Sequence, residues 1–140
     1  MDNLPESVVK TITRLQKLTD DKQRYEQLIH YGKKVTPLPL ERCTEANRVP
    51  GCVSKVYIEA QLTPDGTVSY AGEADALIVK GFVGFLCVAL AGLPPQVIVN
   101  LPADFLAATG LAVSLTPSRA NGFLSIFQTM QIQAATLQMS

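Results

Sequence analysis

Charge is distributed so unevenly along this 140-residue chain that its two parts must play different roles in the fold. Of 12 basic and 12 acidic residues, only Asp104 and Arg119 follow Lys80. Charged side chains are almost never fully buried unless paired, so the stretch after Lys80 is read as core or interface and the stretch before it as the solvated part. The longest apolar run, Gly81 to Pro95, is too short to span a bilayer and lies between Lys80 and a Pro-Pro pair, which favours a buried helix over a membrane segment. With 47% hydrophobic residues, the chain holds enough apolar material for one core without disulfides or metals, and a single domain over residues 1–140 is expected. The formal net charge of zero and a pI near 6.6 provide no basic footprint for nucleic acid.

Local patterns divide the chain further. Asn3 and Glu6, with Pro5 between them, read as a capping box opening a helix whose apolar positions are Val8, Ile12, Leu15 and Leu18. Thr19-Asp20-Asp21 offers a second N-cap, and Tyr25, Leu28 and Ile29 stripe a helix that Gly32 stops; together the two helices are expected to form a lid. Val35 to Gly51 carries Pro37, Pro39 and Pro50 and no period, so it reads as an extended connection. From Ser54 to Leu62, Val56, Ile58, Ala60 and Leu62 alternate with polar neighbours as in a half-buried strand. Pro64-Asp65-Gly66 is turn chemistry, which returns Thr67 to Ala74 as the antiparallel partner.

Ala76 to Leu90 is expected as the central buried helix, followed by a short helix from Asn100 and Pro102 to Gly110. Thr116-Pro117 opens a last helix with Phe123, Phe127, Met130 and Ala134 on one face. Gln96 to Asn100 fits either a third strand or a helical turn. The fold class is α+β, a small antiparallel sheet packed against helices.

Three cysteines, Cys43, Cys52 and Cys87, make an odd set without a CxxC pair, and no apolar, cleavable leader precedes them, so a reducing cytoplasm is expected. Cys87, between Leu86 and Val88, reads as core packing, and Cys43 as an incidental surface cysteine or a resolving thiol. Cys52 follows Pro50 and Gly51 and precedes a strand, so it is presented on a turn that one neighbour stiffens and the other bends. That position suits transfer chemistry, although a free cysteine also serves as a small buried hydrophobe. Arg119, in the first turn of the last helix, opposes the helix dipole and calls for a reason: an ion pair with Asp75 or Glu73, or contact with a partner. Asp75 also stands where it could cap the central helix. His30 ends an amphipathic helix with no second ligand spaced to make a metal site.

Three segments carry a family resemblance: Pro50 to Tyr57 (Pro-Gly-Cys-Val-Ser-Lys-Val-Tyr), Gly72 to Gly81 (Gly-Glu-Ala-Asp-Ala-Leu-Ile-Val-Lys-Gly) and Leu115 to Gly122 (Leu-Thr-Pro-Ser-Arg-Ala-Asn-Gly). In residues, order and spacing they resemble the signature segments of the SufE family over roughly residues 8 to 135. The chain departs at Val53, where the family commonly has Gln, and at Tyr57, where it commonly has Trp.

The resemblance implies a two-layer architecture shared with the cluster scaffold IscU, and a sulfur relay in place of an enzyme. Cys52 would take sulfur from the persulfide of a SufS-type, pyridoxal-phosphate-dependent cysteine desulfurase, stimulating that enzyme, and hand it to an iron-sulfur scaffold complex. Pro50, Gly51 and Ser54 would form the supporting loop, with Asp75 and Arg119 as partner contacts or a structural pair. The chain itself would carry neither cofactor nor metal and would be a monomer or homodimer. A resting thiol held against Val49, Val53, Val56 and Ile58 would protect a persulfide, with Gly51 as hinge. The competing readings are an IscU-like scaffold, needing about three converging thiolates, and a thiol redox or interaction protein.

Overall fold

The computed structural model describes residues 4–138. Two N-terminal helices, α1 (Glu6–Gln16) and α2 (Asp21–Gly32), lead into a two-residue strand β1 (Thr36–Pro37) and two short 3-10 turns. A hairpin follows, β2 (Val56–Leu62) and β3 (Val68–Ala74), then the central helix α3 (Leu77–Ala89). Two five-residue helices, α4 (Pro95–Val99) and α5 (Asp104–Ala108), precede the long last helix α6 (Pro117–Gln138). The sheet order is β1-β3-β2.

The hairpin is antiparallel, in a register that pairs Val56 with Ala74 and Leu62 with Val68. The sheet as a whole is mixed, because β1 adds to β3 in parallel, Thr36 beside Ala71 and Pro37 beside Gly72. This third strand lies in the proline-rich connection and not at Gln96 to Asn100, where α4 forms instead. The prolines are tolerated because β1 is an edge strand, where a missing N–H costs no ladder bond.

Alternation holds at the root of the hairpin and fails at its tip. Val56 and Ile58 are fully buried, whereas Leu62 is 51% exposed, beyond the reach of the helices beneath. Helix α2 begins as expected, with the Asp20 side chain accepting from Gln23 N at 2.8 Å. Helix α1 begins at Pro5 without a side-chain cap, and Asn3 lies outside the described residues.

The helices meet through absent side chains and stacked rings. A Cβ on Gly81 would lie 2.4 Å from the Leu28 carbonyl oxygen, and one on Gly84 only 2.0 Å from that of Tyr31, so α3 packs backbone to backbone on α2. Phe123 of α6 stacks on Phe82 of α3 at 4.7 Å, and Phe127 meets Phe105 of α5 edge-on at 5.0 Å. Tyr70 donates its hydroxyl to the Met130 carbonyl at 2.7 Å, tying the sheet to α6. The expected face of α6, Phe123, Phe127, Met130 and Ala134, is buried. One apolar core thus runs from Val8 to Ala134 and supports the segment between β1 and β2 from below.

Candidate functional site

The segment before β2 returns to the sheet before it departs from it. Val49 N donates to the Val56 carbonyl at 2.8 Å, and Arg48 bridges antiparallel to Tyr57, so residues 50–55 form a short loop closed at its base. Asp75 fastens the far end of that loop: Lys55 N donates to Asp75 Oδ1 at 3.1 Å, and Asp75 N donates to the Lys55 carbonyl at 3.2 Å. Asp75 therefore holds the loop and does not cap α3, whose N-cap is Ala76 without a side-chain bond. Counting register from the hairpin turn would have found this, since Val56 opposite Ala74 puts Lys55 opposite Asp75.

Within the loop, direction is set at Gly51, whose φ of 74° is the left-handed conformation that side chains disfavour. After that reversal Cys52 turns inward and is half-buried, Val53 points outward at 89% exposure, and Ser54 is half-buried again. Pro50 is exposed on the approach. Val53, although largely exposed, lines the same depression as the thiol, and Val49, Val56 and Ile58 belong to the core cluster against which Cys52 packs.

The Cys52 side chain faces this depression of about 160 Å³ between α3 and α6, whose lining also includes Ser54, Val79, Thr116, Arg119 and Gly122. Helix α6 begins there, with Arg119 N donating to the Thr116 hydroxyl at 3.3 Å. Among the described residues Arg119 forms no ion pair. Glu73 pairs with Lys80 at 3.4 Å instead, and the Asp75 carboxylate is engaged by the Lys55 backbone. The structural pair considered for Asp75 and Arg119 does not form. The tertiary fold thus brings an uncompensated cation to the wall of the depression that a thiol enters.

The other cysteines are placed for other fates. All three are free thiols. Burial pushes the Cys87 thiol up to about 12, so it stays protonated and inert. Burial, then the nearby carboxylates of Glu73 and Glu41, raises the Cys43 thiol above its ordinary range. Its sulfur lies 3.8 Å from the Leu38 carbonyl oxygen. Among the described residues no group of three or more His, Cys, Asp or Glu side chains is placed to hold a metal ion, and no helix is long and apolar enough to cross a membrane.

Comparison with known proteins agrees with this architecture. The SufE family profile, described as an Fe-S metabolism associated domain, matches residues 9–134. A SufE-like protein of Synechocystis sp. is 54% identical over 97% of this chain and 85% of its own length. A chloroplastic/mitochondrial SufE-like protein of Arabidopsis thaliana is 36% identical over 99% of this chain, which spans 37% of that longer relative. The solution structure of a hypothetical protein from Thermus thermophilus superposes with a TM-score of 0.84 at 26% identity, over 98% of this chain and 99% of that one.

Proposed function

The chain belongs to the SufE family, whose role lies in Fe-S metabolism and sulfur transfer, and from that premise we propose that it accepts sulfur on Cys52 from a cysteine desulfurase. In this reading it stimulates that pyridoxal-phosphate enzyme without being an enzyme or holding a cofactor itself, and it delivers the sulfur to an iron-sulfur scaffold complex. The observation that carries the reading is the placement of Cys52. Of the three cysteines it is the one on a hinged surface loop, and its side chain faces a depression walled by Arg119.

The chemistry is an exchange at sulfur. The Cys52 thiolate attacks the outer sulfur of the desulfurase cysteine persulfide; a new Sγ–S bond forms, the persulfide S–S bond breaks, and the desulfurase cysteine leaves as a thiolate. The proton lost from Cys52 is matched by one available to the leaving sulfur, and no external oxidant or reductant is needed. The rate of such an exchange depends on thiolate fraction, nucleophilicity and access. Arg119 supports the anionic sulfur in the loaded form. The loop rests closed on α6 in the free protein and swings out about Gly51 when the desulfurase engages it. A reducing compartment, the cytoplasm in this reading, keeps Cys52 free.

Persulfide labelling tests the proposal. Mixing the protein with a desulfurase, pyridoxal phosphate and cysteine is expected to add about 32 mass units, one sulfur atom, to the peptide that contains Cys52. Cys52→Ser abolishes the gain, while Cys43→Ser and Cys87→Ser keep most of it. Labelling of Cys52→Ser to the wild-type extent would sink the assignment.

A further inference from the structure

The last of the three signature-like segments ends on Gly122, which the transfer chemistry leaves without a role. It lies inside the 22-residue helix α6 and is buried. Glycine there weakens a helix relative to alanine, so its presence calls for a local reason. Conformation is not the reason, because Gly122 is not among the glycines with positive φ. Helix packing is not the reason either. A Cβ on Gly81 or Gly84 would strike the backbone of α2, but a Cβ on Gly122 would meet one atom within 4 Å outside its neighbours and its own helix backbone. That atom is Cys52 Sγ, at 3.2 Å. The separation is shorter than the roughly 3.5–4.0 Å at which nonbonded carbon atoms attract.

One turn further along α6 the same closeness recurs, since a Cβ on Gly51 would lie 3.2 Å from Ser125 Oγ. Two consecutive loop residues thus rest on positions 122 and 125, and both contacts depend on absent side chains.

We infer that Gly122 is a positioning residue for Cys52: its missing side chain leaves the notch in which the resting sulfur sits, and so decides how far the thiol is withdrawn before transfer. The inference rests on the reading of Cys52 as the sulfur acceptor only for its purpose, since the notch itself is a property of the free protein. A methyl group at position 122 displaces the sulfur, and the sulfur can yield because it sits on a short side chain beside the Gly51 hinge. The thiol then spends more time facing solvent, where it meets alkylating agents and small thiols alike.

The test is the iodoacetamide alkylation rate of Cys52 in the free protein, read by peptide mass spectrometry together with that of Cys87 and with the melting temperature. Gly122→Ala is expected to speed alkylation of Cys52 by about threefold, and Gly122→Leu by more, because access limits a withdrawn thiol. The rate at Cys87 stays flat in both, and the melting temperature of Gly122→Ala is unchanged or higher. Asn121→Ala, on the exposed side of the same turn, leaves both alkylation rates at wild type. An unchanged or slower Cys52 rate overturns the inference. Parallel acceleration of Cys52 and Cys87 also overturns it, because that pattern is general loosening. No desulfurase enters the experiment, so a failed sulfur-labelling assay and a failed notch remain distinguishable.

Discussion

Helices α3 and α6 each use glycine to admit something close, but what they admit differs. On α3, Gly81 and Gly84 admit the backbone of α2, which is held by its own helical hydrogen bonds and by the burial of Leu28 and Tyr31. On α6, Gly122 admits one sulfur atom at the end of a side chain on a six-residue loop, residues 50–55. The first contact is between two rigid bodies, and neither can yield without unpacking the core. The second is between a helix and a single side-chain atom, which can yield by rotation of a short side chain. The same residue type therefore serves the integrity of the fold at one place and, in the proposed reading, the setting of the sulfur-accepting thiol at the other.

Substitutions put this contrast at risk. The largest effect is expected on α3: Gly84→Ala places a methyl group 2.0 Å from the Tyr31 carbonyl oxygen and forces α2 away, costing about 3 kcal/mol as an overpacked core does. Urea unfolding measures it. A loss below about 1 kcal/mol would mean that α2 shifts easily, and the contrast with α6 would collapse.

A smaller effect is expected where the loop is fastened. Asp75→Ala removes the acceptor for Lys55 N at an exposed site and should cost about 1 kcal/mol. Arg119→Ala, at a position with no ion pair among the described residues, should cost less than about 0.5 kcal/mol. Sulfur acceptance should fall in both. No hydrogen bond or ion pair joins the two side chains, so the double variant should be additive within about 0.5 kcal/mol in stability. A coupling above about 1 kcal/mol would reveal a pair that the structure does not contain.

The smallest effect concerns the partly buried thiol of α3. Cys87 is held protonated up to about 12 against an ordinary 9.0, so above pH 9 the unfolded chain loses a proton that the folded chain keeps. Stability contributed by this group is full below pH 9 and is lost as pH rises towards 12, with a slope of at most about 1.4 kcal/mol per pH unit. Cys87→Ala should flatten the alkaline limb measured between about pH 8.5 and 10.5, by roughly that slope at most. Tyr70, which burial also raises, leaves a residual slope at higher pH. If Cys87→Ala leaves the limb as steep as before, the thiol is less enclosed than its surroundings indicate.

Much of the fold could be read from the sequence because its periodic elements carry their own signals. The hairpin and its turn, the apolar α3, the buried face of α6 and the Asp20 cap all depend on residues within a few positions of one another. Strand β1 could not be read, because two residues have no period and its pairing partner lies far along the chain. The exposure of Leu62 was hidden for a related reason: alternation marks a face, and only the helices beneath decide how far along the strand that face stays covered.

The site divides in the same way. Residue order alone was enough to establish that Cys52 follows a glycine and precedes a strand, that Cys87 belongs to an apolar helix, and that Arg119 opens a helix against its dipole. These statements concern neighbours along the chain, where residue type and backbone preference act directly. It took the folded molecule to establish that Asp75 fastens the loop, that Arg119 has no carboxylate partner among the described residues, and that the sulfur rests on Gly122. Lys55 and Asp75 are 20 residues apart and Cys52 and Gly122 are 70 apart, and such contacts exist only after the core has set the distance between α6 and the sheet.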